Sequence, residues 1–488
     1  MKKALAILLC AAMAAAAGCG AQSEQTQTPS AGNSAENAEV IETEAAESES
    51  EQQKYIDALP EADYGGHVFT IIDHTPVANG TISLYAENEN GDLLNDFIFR
   101  RDLSVSELYN IEIREYMVDD VTSQVKKTVA AGDDTYDMIS DWIKLVLETA
   151  GKGYYLNLYN IPTINLDNPW WDANCRDLLT ISGRLFAAFS DMNVQTLDLL
   201  GGICINNTLA ANLGYGAVSD KVFEGTWTFD AMREMIIAGS ADLNGDSVMD
   251  QNDQFGYIAG IGDINPMIVC SERNYIINTD GEMKLNYGSE KVIAAAEKMD
   301  PIINNKQTTV YLNESPWGNE VFTSGRALMQ GVTIGTFYHT YRGLELDISL
   351  LPTPKYDEQQ QNYHSMMSNC SMGISIPASS SDTERTGNII EALGAYSYKE
   401  IDEVYYDTTL QVKLARDDAT KRILEIIVKG KIADLCVLNE NAWGNVLTSF
   451  LNTFHKSGAA ELASLAEKNA EKFQKIADKI VEEYEGLD

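Results

Sequence analysis

The chain has 488 residues, of which 73 are acidic and 35 basic, giving a net charge of −38. Nucleic-acid binding needs a basic surface, so this balance excludes it, and it disfavours an anionic substrate or membrane surface. Hydrophobic residues make up 44% of the chain, enough for a globular body of two or three core-sized units. Solubility, neutral ligands and calcium are all compatible with such acidity.

The N-terminus comes first in chain order. Lys2 and Lys3 precede an apolar run from Ala4 to Ala17, which ends in Ala16-Ala17-Gly18-Cys19. A membrane-spanning helix needs ~20 residues, so this shorter run reads as a signal peptide over 1–18. The Cys after small residues resembles the lipobox of bacterial lipoproteins, although Ala16 stands where Leu is usual. That resemblance implies a lipid on Cys19 and cleavage just before it. Residues 20–53 hold eight Glu and many Gln, Ser, Thr and Ala, with no Lys, Arg or aromatic residue. Such a segment buries too little apolar surface to offset its ordering entropy, so 19–53 is expected to be a disordered linker from lipid to body.

The body, 54–488, opens on Gly65-Gly66 and the β-rich run to Asp73. A helical period follows over Leu94–Tyr109, then an alternating strand at Ile111 and Ile113, a helix over Val118–Ala131 stopped by Gly132, and a short strand at Tyr136–Ser140. This β-α-β-α-β opening predicts a parallel sheet with right-handed crossovers. Ligands of such sheets sit beyond the carboxyl ends of strands, where Asp73, Asp141 and Trp142 fall. Further on, a strand is expected at Ile203–Ile205 and a helix from Asn206. Thr228 reads as an N-cap, and another strand as Phe255–Ala259. Leu462, Leu465, Phe473, Ile476, Ile480 and Tyr484 mark a long amphipathic helix over 459–484.

Between Thr228 and Phe255 lies the sharpest motif. Asp242, Asn244, Asp246, Asp250 and Asp253 stand at positions 1, 3, 5, 9 and 12 of a loop, with the Val248 carbonyl at 7. This oxygen spacing matches an EF-hand-type loop, and one structural calcium ion is expected there. Ser247 occupies the position normally held by Gly. The competing reading is a solvated acidic turn.

After the signal peptide and Cys19, the cysteines are Cys175, Cys204, Cys270, Cys370 and Cys436. Their odd number and long spacings give no disulfide framework, and the scattered histidines show no zinc spacing. No GxSxG, HExxH or phosphate-cradling glycine pattern is present.

Five segments resemble extracellular solute-binding lipoproteins of bacterial ABC importers, in the sugar-binding branch. They are Glu89–Asp96 with Arg100 and Arg101, Asp133–Asp137, Pro169–Asp172, Gly225–Asp230, and Leu351–Asp357 with Gln361 and Tyr363. The resemblance implies a two-lobed α/β periplasmic-binding-protein-like fold with a hinge and a cleft. One lobe is expected to comprise 60–165 and 320–375, the other 166–319 and 376–488. It further implies a monomer on the outer face of the cytoplasmic membrane that carries a small solute to permease subunits without chemistry. Flat sugar faces suit aromatic rings, and sugar hydroxyls suit carboxylates and amides. Trp142 is therefore the foremost candidate, with Asp73, Asp141, Asp191 and Asn206 as polar candidates. The alternative function is a secreted glycoside hydrolase or another carbohydrate-active surface protein.

Overall fold

The computed structural model describes residues 51–76, 84–410 and 418–487. The expected signal peptide, Cys19 and nearly all of the expected linker lie outside these residues. The linker's last residues do not: 51–57 are helical, Gln52 Nε2 donates to the Tyr396 carbonyl at 3.1 Å, and Tyr55 packs edge-on against Trp170. The helix takes in the last three residues of the expected linker, 51–53, beside Tyr55 and Ile56, whose apolar side chains open the expected body. No helix among the described residues is long and apolar enough to cross a membrane.

Two sheets organise the body. The first joins β1 (His67–His74), β2 (Ile111–Val118), β3 (Met138–Trp142) and β12 (Met372–Ser375) in the order β12-β3-β1-β2. Its three early strands run parallel, while β12 returns antiparallel to β3. The second joins β4 (Gly201–Asn206), β5 (Phe255–Ala259), β8 (Thr309–Tyr311), β9 (Ala327–Thr333) and β10 (Ile348–Leu351) in the order β10-β4-β9-β5-β8. Here β5, β8 and β9 are parallel, and β4 alone runs against its neighbours. A hairpin of β6 (Ile276–Thr279) and β7 (Glu282–Leu285) and a short pair of β11 (Ser365–Met366) with β13 (Lys431–Ile432) complete the strands.

Local chemistry sets the boundaries of the early elements. The helix Leu93–Tyr109 starts where Asp92 accepts hydrogen bonds from the Leu94 and Asn95 amides. The helix Val121–Ala131 starts at Asp120, which accepts from Ser123 N, and stops at Gly132, whose φ of 65° lies in the left-handed region. Thr228 caps Phe229–Ala238 through the Ala231 amide, as expected.

Two lobes follow from the two sheets, but their division differs from expectation. Within 320–375, β9 and β10 belong to the second sheet, and only β12 joins the first. The reason is burial: β9 is flanked by β4 on one side and β5 on the other, so its run ALMQGVT fills the middle of the second sheet. Likewise the helices Thr383–Ser397 and Glu400–Leu410, expected in the second lobe, pack on the helix Leu93–Tyr109 of the first. The chain thus passes from the first sheet to the second between Trp142 and Gly201, and back between Leu351 and Met372.

Candidate functional site

The carboxyl ends of β5 and β9 and the reversed start of β4 meet at one edge of the second sheet, where Gly201 is in register with Thr333. A crevice of about 470 Å³ opens there. Its polar walls come from Asp263 and Asn265 beyond β5, Thr333 and Thr336 at the end of β9, Ser368 and Asn369 on the segment returning to the first sheet, and Glu440.

Asp263 is held in place by its neighbours. Its Oδ2 accepts from the Gly260 amide at 2.6 Å, and a Cβ at Gly331 would sit 1.9 Å from its Oδ1. Only glycine at 331 leaves room for this carboxylate. Burial pushes the Asp263 carboxyl up to about 6, against the opposing pull of the Gly260 amide and the Tyr257 hydroxyl.

Opposite this edge lie the ends of β1 and β3. The Lys144 amide donates to the Asn369 carbonyl at 3.2 Å, so the helix Ile143–Ala150 adjoins the crevice wall. Trp142 is half-buried beside it. The His74 ring stacks on Trp142 at 4.1 Å between centroids, and the Lys144 ammonium lies 4.8 Å from the Trp142 centroid. Much of the indole surface is thus already engaged by the protein.

The remaining predicted ligand residues face elsewhere. Asp141 is fully buried, accepting from its neighbour Trp142 N at 2.8 Å and from Thr122 Oγ1 at 3.2 Å. Burial raises its carboxyl to about 7, with those two hydrogen bonds opposing. Asp73 is also fully buried, and burial first, then nearby Glu115, holds its carboxyl well above the usual range. Both stand at strand ends as expected, but they point into the packed faces of the sheet rather than outward. Asp191 Oδ1 accepts from Lys431 Nζ at 2.9 Å, an ion pair beside the β11–β13 pair. Asn206 is a helix cap: its Oδ1 accepts from Leu209 N at 3.0 Å, and its Nδ2 donates to the Gly325 carbonyl at 3.4 Å. Because β4 runs against β9, the carboxyl end of β4 lies at the edge opposite the crevice, roughly 17 Å along the strand from Gly201.

The acidic loop carries a chain of side chain to backbone bonds. Asp242 accepts from the Gly245 and Ser247 amides at 2.6 and 2.7 Å, Asn244 from Asp246 N, and Asp246 from Val248 N, the last two at 2.8 Å. Asp253 accepts from the Leu243 and Asp250 amides at 2.9 and 2.8 Å, and its carboxyl is lowered chiefly by these bonds, Asp250 first. Ser247 takes the left-handed φ of 69° that glycine usually supplies at that loop position. The donor set is all hard oxygen and suits calcium. Among the described residues, however, no three His, Cys, Asp or Glu side chains converge closely enough to hold a metal.

Asp263, Asn265, Thr333, Asn369 and Glu440 carry the crevice and were not singled out from sequence. The signal for the first two was present. Phe255–Ala259 reads as a strand, and the rule that ligands lie beyond strand carboxyl ends points directly to Gly260–Asn265. Asn369 and Glu440 arrive through long-range chain crossings that no local pattern reveals.

No family model matches the sequence, and no curated relative matches it. Solved structures do match in fold. An ABC substrate-binding protein from Listeria monocytogenes, in complex with cycloalternan, is 10% identical and superposes with a TM-score of 0.53 over 84% of this chain and 99% of that one. UspC of M. tuberculosis is 14% identical, with a TM-score of 0.55 over 85% of this chain and 100% of that one. The sugar-binding protein MalE of the phytopathogen Xanthomonas citri is 10% identical, with a TM-score of 0.55 over 84% and 98%. At these identities the likeness is one of fold: the chain has the two-lobed α/β fold of the sugar-binding proteins of ABC importers.

Proposed function

We propose that this protein captures a small hydroxylated solute, a carbohydrate, between its lobes and delivers it to the permease of an ABC importer without altering it. The observation that carries this reading is the crevice at the carboxyl ends of β5 and β9, walled by amides, hydroxyls and two carboxylates and bordered by the first lobe at Lys144 and Trp142. Structures of the same fold were solved with cycloalternan and with acarbose. Closure of two lobes draws its free energy from contacts made only when both touch the ligand. The acidic body suits uncharged sugars better than anions.

The reading extends to a lipid anchor on Cys19 that holds the protein at the outer face of the cytoplasmic membrane, and to one calcium ion in the Asp242–Asp253 loop. That ion would be held by the side chains of Asp242, Asn244, Asp246, Asp250 and Asp253 with the Val248 carbonyl, after these oxygens turn inward. Its role is structural, since the loop joins a helix to β5 and lines no part of the crevice.

Titration calorimetry against an oligosaccharide panel, with chromatography of the same mixtures after incubation, tests the proposal. The expected result is saturable binding to at least one saccharide with no new product. Hydrolysed saccharide would replace this reading by the glycosidase alternative.

A further inference from the structure

The crevice wall has an unbalanced charge. Asp263 and Glu440 both line it, and among its described lining residues there is no Lys, Arg, His or aromatic ring. Lys144, at the crevice border, has its ammonium over the Trp142 ring, 4.8 Å from the centroid. Asp263 is fixed where it stands by the Gly260 amide and by the space left at Gly331.

Closing the lobes over a neutral sugar would take the half-exposed Glu440 out of water and bury Asp263 further, against hydroxyls alone. Burying a charge without a countercharge is costly, and an opposite charge held at hydrogen-bond distance offsets that cost. An anionic sugar would add a third negative charge to the same space. No aromatic ring lines the crevice among the described residues, and the Trp142 ring at its border is already engaged by His74 and Lys144, so little flat apolar platform remains for neutral oligosaccharide rings to stack on.

We propose that the crevice selects a carbohydrate bearing a protonated amine, with Asp263 and Glu440 as the residues that receive the ammonium. This inference rests on the carbohydrate-binding reading and narrows it. The ammonium donates to the carboxylates, while Thr333, Thr336, Ser368 and the Asn265 and Asn369 side chains serve the sugar hydroxyls. A charge-assisted hydrogen bond is roughly twice as strong as a neutral one, so an amine should bind about ten- to a hundredfold tighter than its N-acetyl counterpart.

The test is calorimetry on the full body with a matched series: glucosamine, N-acetylglucosamine, glucose and glucuronate, and their β-1,4-linked trimers, with ethanolamine as a bare amine. The amino sugars should bind tightest, glucuronate most weakly, and ethanolamine at least about tenfold more weakly than glucosamine, since an amine without a ring lacks the hydroxyl contacts. Asp263→Asn and Glu440→Gln should each lower the ratio of amine to N-acetyl affinity, read within each variant, and far-ultraviolet circular dichroism should confirm that both variants are folded. Equal binding of glucosamine and N-acetylglucosamine, or ethanolamine binding as well as glucosamine, overturns the amine proposal but leaves the carbohydrate reading standing. Neutral-sugar binding that appears only with added calcium also overturns it, because the metal would then be the countercharge. No binding by any member of the series overturns both.

Discussion

Asp141→Asn separates a packing role for this carboxylate from the ligand role its position invites. The Asp141 carboxyl has a folded value of about 7 against an ordinary 3.8, chiefly through burial. Between those values the folded protein holds a proton that the unfolded chain has released. Stability is therefore highest below about pH 4, falls as pH rises through this window, and levels off above about 7. A difference of about three pH units corresponds to a penalty of roughly 4 kcal/mol at pH 8. Asparagine is close to isosteric, still accepts from Trp142 N, and can donate its amide to Thr122 Oγ1, which now donates to the carboxylate. The variant should match the wild type at pH 4 and exceed it by pH 8 by an amount approaching that ceiling. Thermal and urea unfolding at pH 4, 6 and 8 read this directly. Sugar affinity at pH 7 should be unchanged. A variant less stable than wild type at pH 8, or one that keeps wild-type stability but loses ligand, would refute the reasoning and restore Asp141 to the binding site.

Four further outcomes are expected. Trp227 is fully buried and donates from Nε1 to the Pro352 carbonyl at 2.9 Å, so Trp227→Ala should cost about 3–5 kcal/mol in denaturant unfolding, whereas Trp142→Ala should leave the fold intact and weaken ligand binding in calorimetry; the reverse pattern would move the site. Gly331→Ala should displace the Asp263 carboxylate and weaken binding about tenfold or more while the body stays folded, and unchanged affinity would show that Asp263 takes no part. Calcium at one hundred times its dissociation constant should stabilise the body by about 2.7 kcal/mol, with the gain reversed by chelator, and a melting temperature indifferent to both would remove the ion from the account. Cys19→Ser should release the protein from the membrane fraction or block its processing; unchanged fractionation would discard the anchor.

The first lobe is legible in the sequence because its rules are local. Half-buried strands such as Ile111–Val118 alternate in burial, Asp92 and Asp120 announce helix starts, and Gly132 announces a stop. The second sheet is less legible. The run Phe255–Ala259 reads as a strand and matches β5, but neither its place beside β9 nor the reversal of β4, which depends on partners far along the chain, shows in the sequence. The candidate polar residues lie away from the crevice for related reasons. Strand ends are visible in sequence, but the direction of a side chain at that end is not. At the end of β3 the period of two turns the Asp141 carboxylate toward Thr122 on the helix Val121–Ala131, whereas Trp142 stays half-exposed. Asn206 stands at the far end of the sheet from the crevice because β4 runs against its neighbours.

The segments that carry the family resemblance prove to hold the frame together. Arg101 is buried, pairs with Asp102 at 2.8 Å, and donates to the Met192 carbonyl and to Ser397 Oγ at 3.1 and 3.3 Å, tying three distant segments. Trp171 Nε1 donates to Glu391 Oε1 at 2.8 Å, locking the Pro169–Asp172 segment to the helix Thr383–Ser397. The Gly225–Asp230 and Leu351–Asp357 segments bind each other: Lys355 N donates to the Trp227 carbonyl at 3.1 Å, Phe229 N to the Lys355 carbonyl at 2.9 Å, and Tyr363 Oη accepts from Trp227 N at 3.2 Å. None of the crevice residues falls within these segments. Frame contacts of this kind do not depend on the ligand, since losing a buried partner costs stability whatever is bound. Residues on the loops beyond strand ends are where binding side chains concentrate. The segments of the family resemblance therefore bear on the frame and say nothing of a ligand, which has to be argued from Asp263, Glu440 and the polar wall they share.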